Sequence, residues 1–244
     1  MLDHRIEASS ALITPERALD PNLTEHEVAE LAHAASALVR AAVAERHDVS
    51  VITMLKLARD PSPEVRYALA DGLAAGLEAP RHIILALAAD RTEIAALVLA
   101  RSPIFIDVEL VDLVAGSDEA LQVAIASRPQ LSSGVAAAIA EVGDRRACMA
   151  LIANAGADIA RISFRRMAER YGDDPEVREA LLQRRGLPSD VRQALIRRLT
   201  DALGDLVVHK SWVDEERART LTRDACERAT VALAAESETE ELGA

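Results

Sequence analysis

Aromatic side chains are nearly absent from this sequence: Tyr67, Phe105, Phe164, Tyr171 and Trp212 are the only ones in 244 residues. A core without them must be aliphatic, and half of the chain is apolar. The abundant Ala and Leu lose least on entering a helix, whereas strands favour the β-branched and aromatic types, so composition leans all-α. Also missing is any apolar run of the roughly 18 to 20 residues that a bilayer crossing needs. The start, Met1-Leu2-Asp3-His4-Arg5, has no apolar signal-peptide stretch. Together these predict a cytoplasmic protein with no membrane partner.

Cysteine is scarce as well. Cys148 and Cys226 lie far apart without metal-ligand spacing, which reads as two buried free thiols and excludes a zinc or disulfide framework. There is no Gly-rich phosphate loop, no Gly-x-Ser-x-Gly elbow and no His-Glu-x-x-His, so the expectation is a protein that is not an enzyme and carries no cofactor. Positive charge is thin over most of the chain. Residues 1–160 hold 13 basic and 23 acidic side chains, residues 161–228 hold 15 and 13, and four acids follow. A non-specific nucleic-acid binder needs a basic face to displace counterions from phosphates, so only the stretch from Arg161 to Arg198 leaves that function open.

What the sequence has in quantity is an internal repeat. A phrase that ends one helix recurs as Leu57-Ala58-Arg59-Asp60, Leu87-Ala88-Ala89-Asp90, Leu113-Val114-Ala115-Gly116, Ile139-Ala140-Glu141-Val142 and Met167-Ala168-Glu169-Arg170. A second phrase keeps step with it: Leu99-Ala100-Arg101-Ser102-Pro103, Ile125-Ala126-Ser127-Arg128-Pro129, Ile152-Ala153-Asn154-Ala155-Gly156 and Leu182-Gln183-Arg184-Arg185-Gly186. Units of about 26–30 residues have room for two helices of about three turns each. Ser62-Pro63-Glu64 and Asp174-Pro175-Glu176 place a capping oxygen, a first-turn proline and an acid at helix starts, and Asp90 with Glu93 has capping-box spacing. Pairs this small must stack to bury their apolar stripes, which gives a solenoid.

The predicted organisation is a flexible N-terminal segment (1–23), a solenoid opened by one long capping helix from Thr24 to Glu45 (24–186), a C-terminal helical hairpin (187–236) and a disordered acidic tail (237–244). In the hairpin, Val191, Leu195, Leu199 and Leu203 form one stripe and Ala218, Leu221, Ala225 and Ala229 a thinner one. The helices, joined at Lys210, Ser211 and Trp212, are twice the length of the others, which suits a homodimer or an end cap.

The phrases Val98-Leu99-Ala100-Arg101-Ser102-Pro103, Ala124-Ile125-Ala126-Ser127-Arg128-Pro129-Gln130-Leu131-Ser132 and Leu151-Ile152-Ala153-Asn154-Ala155-Gly156-Ala157 resemble a bacterial, mainly alphaproteobacterial, domain family of unknown function, itself similar to HEAT and leucine-rich-variant helical repeats. The resemblance spans roughly Thr24 to Leu199. It implies a HEAT-like solenoid and supplies no activity, cofactor or site residue. Asp71-Gly72 departs from the Arg-Pro that the pattern places there, so the resemblance implies a distorted first unit.

Three groups are candidate sites. His26, Glu30 and His33 fall within about 60° around one helix and could face a metal, though the same arithmetic puts them on a solvated face. Arg101, Arg128 and Arg184 end second helices; in register they would form a row of guanidiniums for a partner's carboxylates or phosphates, or simply satisfy helix carbonyls. Arg161, Arg165, Arg166 and Arg170 are similar to the basic stripe of HEAT-like DNA-repair glycosylases, but the acids beside them and the lack of aromatics to hold a displaced base argue against that use. The functional expectation is an adaptor, scaffold or regulator that binds another protein along the solenoid surface, with nucleic-acid binding or DNA repair through the Arg161–Arg198 region as the alternative.

Overall fold

The computed structural model describes residues 13–210 and 214–242. The hairpin joint at Ser211 and Trp212 therefore lies outside the described residues. The protein is an all-α helical repeat, with fifteen helices and no strand among the described residues. A single turn, α1 (Pro15–Ala18), precedes seven helix pairs. The pairs are α2 (Glu25–Leu31) with α3 (Ala37–Ala44), α4 (Val51–Leu57) with α5 (Pro63–Ala74), α6 (Arg81–Ala88) with α7 (Thr92–Arg101), and α8 (Asp107–Gly116) with α9 (Glu119–Ala126). Then follow α10 (Ser133–Val142) with α11 (Arg145–Ala153), α12 (Arg161–Tyr171) with α13 (Pro175–Gln183), and the longer α14 (Ser189–His209) with α15 (Glu215–Leu242).

The chain divides into two compact units, Met1–Pro129 and Gln130–Ala244, rather than at Gly186. In the first unit the second helices α3, α5, α7 and α9 lie side by side as the closest row, and α1 rests on α3. Small residues permit this approach: Ala70, Ala74 and Ala95 are fully buried beside Leu69, Val98, Leu99 and Ile125. At Gly72 a Cβ would stand 3.2 Å from the Ala44 carbonyl oxygen, so glycine keeps α5 close to α3. The Asp71-Gly72 departure is thus a contact point inside an unbroken twelve-residue helix. In the second unit both rows stack, with α10 close to α12 and α11 close to α13; α14 lies on α12 and α13, and α15 on α14.

Two devices recur at repeat spacing. Most loops entering a first helix bury one apolar side chain: Leu23, Val49, Phe105, Leu131, Ala157 and Leu187. Thr24, Ser50 and Ser132, each next in the chain, then accept a first-turn backbone N–H as helix caps. The fourth residue of most second helices reaches back to carbonyls of the turn that leads into it or of the last turn of the helix before. Arg40 donates to Ala34 and Ala35, Arg66 to Asp60, Gln122 to Val114, and Arg178 to Gly172 and Asp173, while the Cys148 thiol points at Ile139 and Gly143. These bonds satisfy carbonyls that the end of a helix leaves open.

Several expectations are corrected. The span from Thr24 to Glu45 is two helices, broken between Leu31 and Ala37. The Arg40 guanidinium holds the carbonyls of Ala34 and Ala35 within the break, and Lys56 holds that of Ala32. The break resets the helical phase, so Leu38 is 71% exposed and Val43 is buried. Residues 13–23 are not a loose lead: Ala18 is fully buried, and Arg46 donates to the carbonyls of Ala18 and Asp20 at 2.8 and 2.7 Å. Ser62 gives its hydroxyl to Glu64 instead of capping, and Asp90 receives Arg66 instead of forming a capping box. The acidic tail continues α15 as helix to Leu242.

Gly186 ends the α13 turn with φ of 76°, the left-handed conformation in which a Cβ crowds the backbone. Gly186→Ala is therefore expected to lower stability by about 1–2 kcal/mol, read as a shift in urea midpoint.

Candidate functional site

The three arginines at repeat ends do not form a free row. Each reaches one repeat back along the chain. Arg128 is buried and donates its two terminal nitrogens to the carbonyls of Leu99 and Ser102, the latter at 2.8 Å. Arg184 donates to the Ile152 carbonyl at 3.1 Å, and Arg101 meets Asp71 at 2.8 Å with both side chains half exposed. The carbonyls belong to C-terminal turns, where a cation also meets the negative end of the helix dipole. The sequence suggested cations satisfying helix ends; the helix satisfied is the one in the preceding repeat.

A second set links repeats through carboxylates. Arg40 grips Asp60 with Nε at 2.6 Å and Nη2 at 2.9 Å, and Arg66 grips Asp90 in the same forked way. The Asp60 backbone carbonyl in turn accepts Arg66, so Arg40, Asp60, Arg66 and Asp90 form one continuous chain of bonds. Burial pushes the Asp60 carboxyl up, and the bonds from Arg40 and the Ser62 amide outweigh it, leaving the net shift downward.

In the second unit Arg145 engages Asp174 and Glu176, while Arg161 and Arg165 converge on Asp190. The Arg145 bond holds the Asp174 carboxyl down to about 2, and the Arg165 and Arg161 bonds do the same for Asp190. A carboxyl whose folded pKa lies below its unfolded value of about 3.9 stabilises the fold above that pH and loses this effect as pH falls toward 2. The thermal midpoint of the full chain is therefore expected to drop between about pH 4 and pH 2. The double variant Asp174→Asn, Asp190→Asn should flatten that drop.

Three more arginines of the Arg161–Arg198 region are similarly engaged. Arg166 pairs with Glu141 at 2.8 Å, Arg170 donates to the Ala140 carbonyl and to the Tyr171 hydroxyl, and Arg198 donates to the Ala168 carbonyl. Cys148 is wholly buried and burial pushes its thiol up to about 11, which keeps it protonated and unreactive. Cys226 is half-buried.

The metal candidate does not assemble. Because α2 stops at Leu31, His33 lies beyond the helix, with Nδ1 against the Ala29 carbonyl at 2.8 Å, while exposed His26 and Glu30 approach to 3.4 Å. Among the described residues no three His, Cys, Asp or Glu side chains are placed to hold a metal. Nor, among the described residues, is any helix long and apolar enough to cross a membrane.

What the second-helix row of the first unit does offer is a groove of about 530 Å³ between α3, α5 and α7. Ala41, Ala68 and Ile94 contribute its apolar surface, and Tyr67 stands 45% exposed in it. Glu45, Glu64, Asp71 and Glu93, all exposed, surround the ring, with Arg91 the one basic residue in the lining. The Ser62 hydroxyl holds the Glu64 carboxyl below its ordinary range, so it is charged at neutral pH. An aromatic face amid carboxylates attracts a cation both through the ring quadrupole and by charge. Sequence reading missed this site because its parts come from three helices about 25 residues apart; an aromatic on an exposed helix face, in a chain with only five, was the available signal.

The comparisons with known proteins bear on this architecture alone. No curated protein and no solved structure matches the chain. One family model matches residues 94–244, beginning in α7 and reaching through the hairpin, beyond the Leu199 limit of the resemblance seen in the sequence. With more than half of its length matched, the chain belongs to this family, DUF2336, an uncharacterised protein conserved in bacteria.

Proposed function

We propose that the protein is a cytoplasmic, non-catalytic adaptor or scaffold that takes up a Lys- or Arg-bearing segment of another protein on the second-helix face of its first unit. The carrying observation is the groove around Tyr67, where an exposed ring and four carboxylates sit over an apolar floor. Stacked helix pairs supply such extended surfaces, and a rigid aromatic with surrounding charge is the usual anchor of an interface. In this reading Arg128 and Arg184 serve cohesion, Arg101 holds Asp71 at the edge of the groove, and the groove serves recognition. A photoreactive amino acid at position 67, introduced in the native bacterium, should give a discrete crosslinked partner, while the same group at Leu85, on a first helix, should give none. Equal adducts from both positions, or none from 67, would sink the proposal.

Nucleic acid is the competing reading, through the arginines of residues 161–198. Their carboxylate and carbonyl partners weigh against it, as does the net charge of −12. Fluorescence anisotropy at about 150 mM salt is expected to show no binding of duplex DNA, because few phosphates could be neutralised. Micromolar binding there would favour the nucleic-acid reading instead.

A further inference from the structure

Which cation the Tyr67 groove takes follows from how its carboxylates are already used. Asp71 receives Arg101 at 2.8 Å, while Glu64 accepts the Ser62 hydroxyl and lies within reach of the Arg91 charge. Glu45 and Glu93 are left over: among the described residues no hydrogen bond or ion pair engages either carboxylate. Glu45 closes α3 and Glu93 lies in the first turn of α7, while Tyr67 belongs to α5, which packs against both helices. The two uncompensated charges therefore flank the ring from opposite sides. The ring itself stands alone, since no second aromatic among the described residues lines the groove. A lone half-exposed ring offers one flat face and no cage to enclose an ammonium head. The protein's other described tyrosine shows what such a face accepts. The Arg170 guanidinium lies 4.7 Å from the Tyr171 ring centroid while its nitrogens donate to the Ala140 carbonyl and the Tyr171 hydroxyl. Among the described residues no cation holds the equivalent place over Tyr67.

Building on the groove reading above, which this narrows from a basic segment to one residue type, we infer that the groove takes an arginine side chain of the partner protein. Its guanidinium stacks on Tyr67, with Glu45 to one side and Glu93 to the other. A guanidinium is planar, so it lies flat on a single ring and still directs its five N–H donors outward in its own plane, where carboxylates on two sides accept them. It is also weakly hydrated, so leaving water for a half-open groove costs it little. A lysine ammonium is compact and strongly hydrated, and it cannot cover a ring face and reach two flanking carboxylates at once. The methylene stem of the arginine has its place too, against the apolar floor of Ala41, Ala68 and Ile94.

The test uses the full chain with 3-fluorotyrosine in place of tyrosine. Fluorine signals then come from Tyr67 and Tyr171 alone, and Tyr67→Phe assigns them. The probes are N-acetylarginine methylamide and N-acetyllysine methylamide, titrated as chlorides at the same low ionic strength. The arginine probe should shift the Tyr67 signal to saturation while the Tyr171 signal stays still, and the lysine probe should need about fivefold more. Glu45→Gln with Glu93→Gln should weaken the arginine probe about fivefold, as the loss of two exposed charge contacts implies. The same loss of charge at Glu78 and Asp112, exposed acids outside the groove, should leave it unchanged. Equal affinity for the two probes would overturn the assignment to arginine and leave the groove reading standing. An arginine shift indifferent to Glu45 and Glu93 would overturn the flanked geometry. Silence of the Tyr67 signal toward both probes would overturn the inference as well, and the crosslink from position 67 then decides separately whether the groove holds a partner.

Discussion

Replacing Asp60 with alanine is expected to cost about 3–5 kcal/mol of stability, because it leaves the Arg40 guanidinium buried without its partner. The Asp60 side chain is 4% exposed and that of Arg40 13%, so solvent cannot replace the lost carboxylate without opening the α3–α5 contact. The same change removes the acceptor for the Ser62 amide. Arg40 also holds the carbonyls of Ala34 and Ala35, so a displaced guanidinium would loosen the α2–α3 break too. Urea unfolding followed by far-UV circular dichroism measures the loss. Adding Arg40→Met should recover much of it, since removing both partners of a buried pair costs far less than removing one. The pH dependence has a definite sign. The net lowering of the Asp60 pKa makes the pair stabilising at neutral pH, an effect lost as pH falls below about 4, and Asp60→Asn should mimic the acid form.

Arg128→Ala is the second large effect, expected at about 2–3 kcal/mol from lost charge-assisted bonds and from two carbonyls left unsatisfied near the buried end of α7. Burial disfavours the charged guanidinium and depresses its pKa, partly countered by Asp107. The residue is held in place by its fork over Leu99 and Ser102. Arg128→Lys should recover only part of the loss, because an ammonium cannot span both carbonyls with the same geometry. Hydrogen exchange offers a second reading: protection should fall first around Ser102, whose own amide bonds Val98, and in α9. If Arg128→Ala leaves the urea midpoint unmoved, the arginine is no staple between repeats.

The repeat was legible because its signals are local. Leu99-Ala100-Arg101 and Ile125-Ala126-Ser127-Arg128 announce helix ends at fixed spacing, and Gly186 adopts the backbone that its position as a stop implies. The staples were half legible. Pro63-Glu64-Val65-Arg66 and Pro175-Glu176-Val177-Arg178 repeat a phrase whose first three residues read as a helix start. The fourth has a role only in three dimensions, where it turns back onto the preceding turn. The break in residues 32–36 was hidden because two short amphipathic helices can be fitted by one continuous stripe. Exposed Leu38 and Ala35 are the residues that such a stripe wrongly buries. The groove was not legible, since Ala41, Tyr67 and Ile94 become neighbours only when second helices form the tight row. The hairpin stripes read from the sequence do not hold together: Val191, Leu195 and Ala218 are buried, whereas Leu203, Leu221 and Ala225 are exposed.

In the proposed function, Arg128 and Arg184 hold helix pairs together and the acidic second-helix groove recognises a basic partner. This division of labour is tested most directly by comparing two sets of substitutions for recovery of the partner crosslinked from position 67. Glu45→Arg with Glu93→Arg, both at exposed positions, should abolish recovery while leaving the helical spectrum and urea midpoint intact. Arg128→Ala with Arg184→Ala, whose guanidiniums hold carbonyls outside the groove, should preserve recovery and lower the midpoint. Partner loss from the arginine pair, with recovery unaffected by the charge reversals, would place recognition outside the groove.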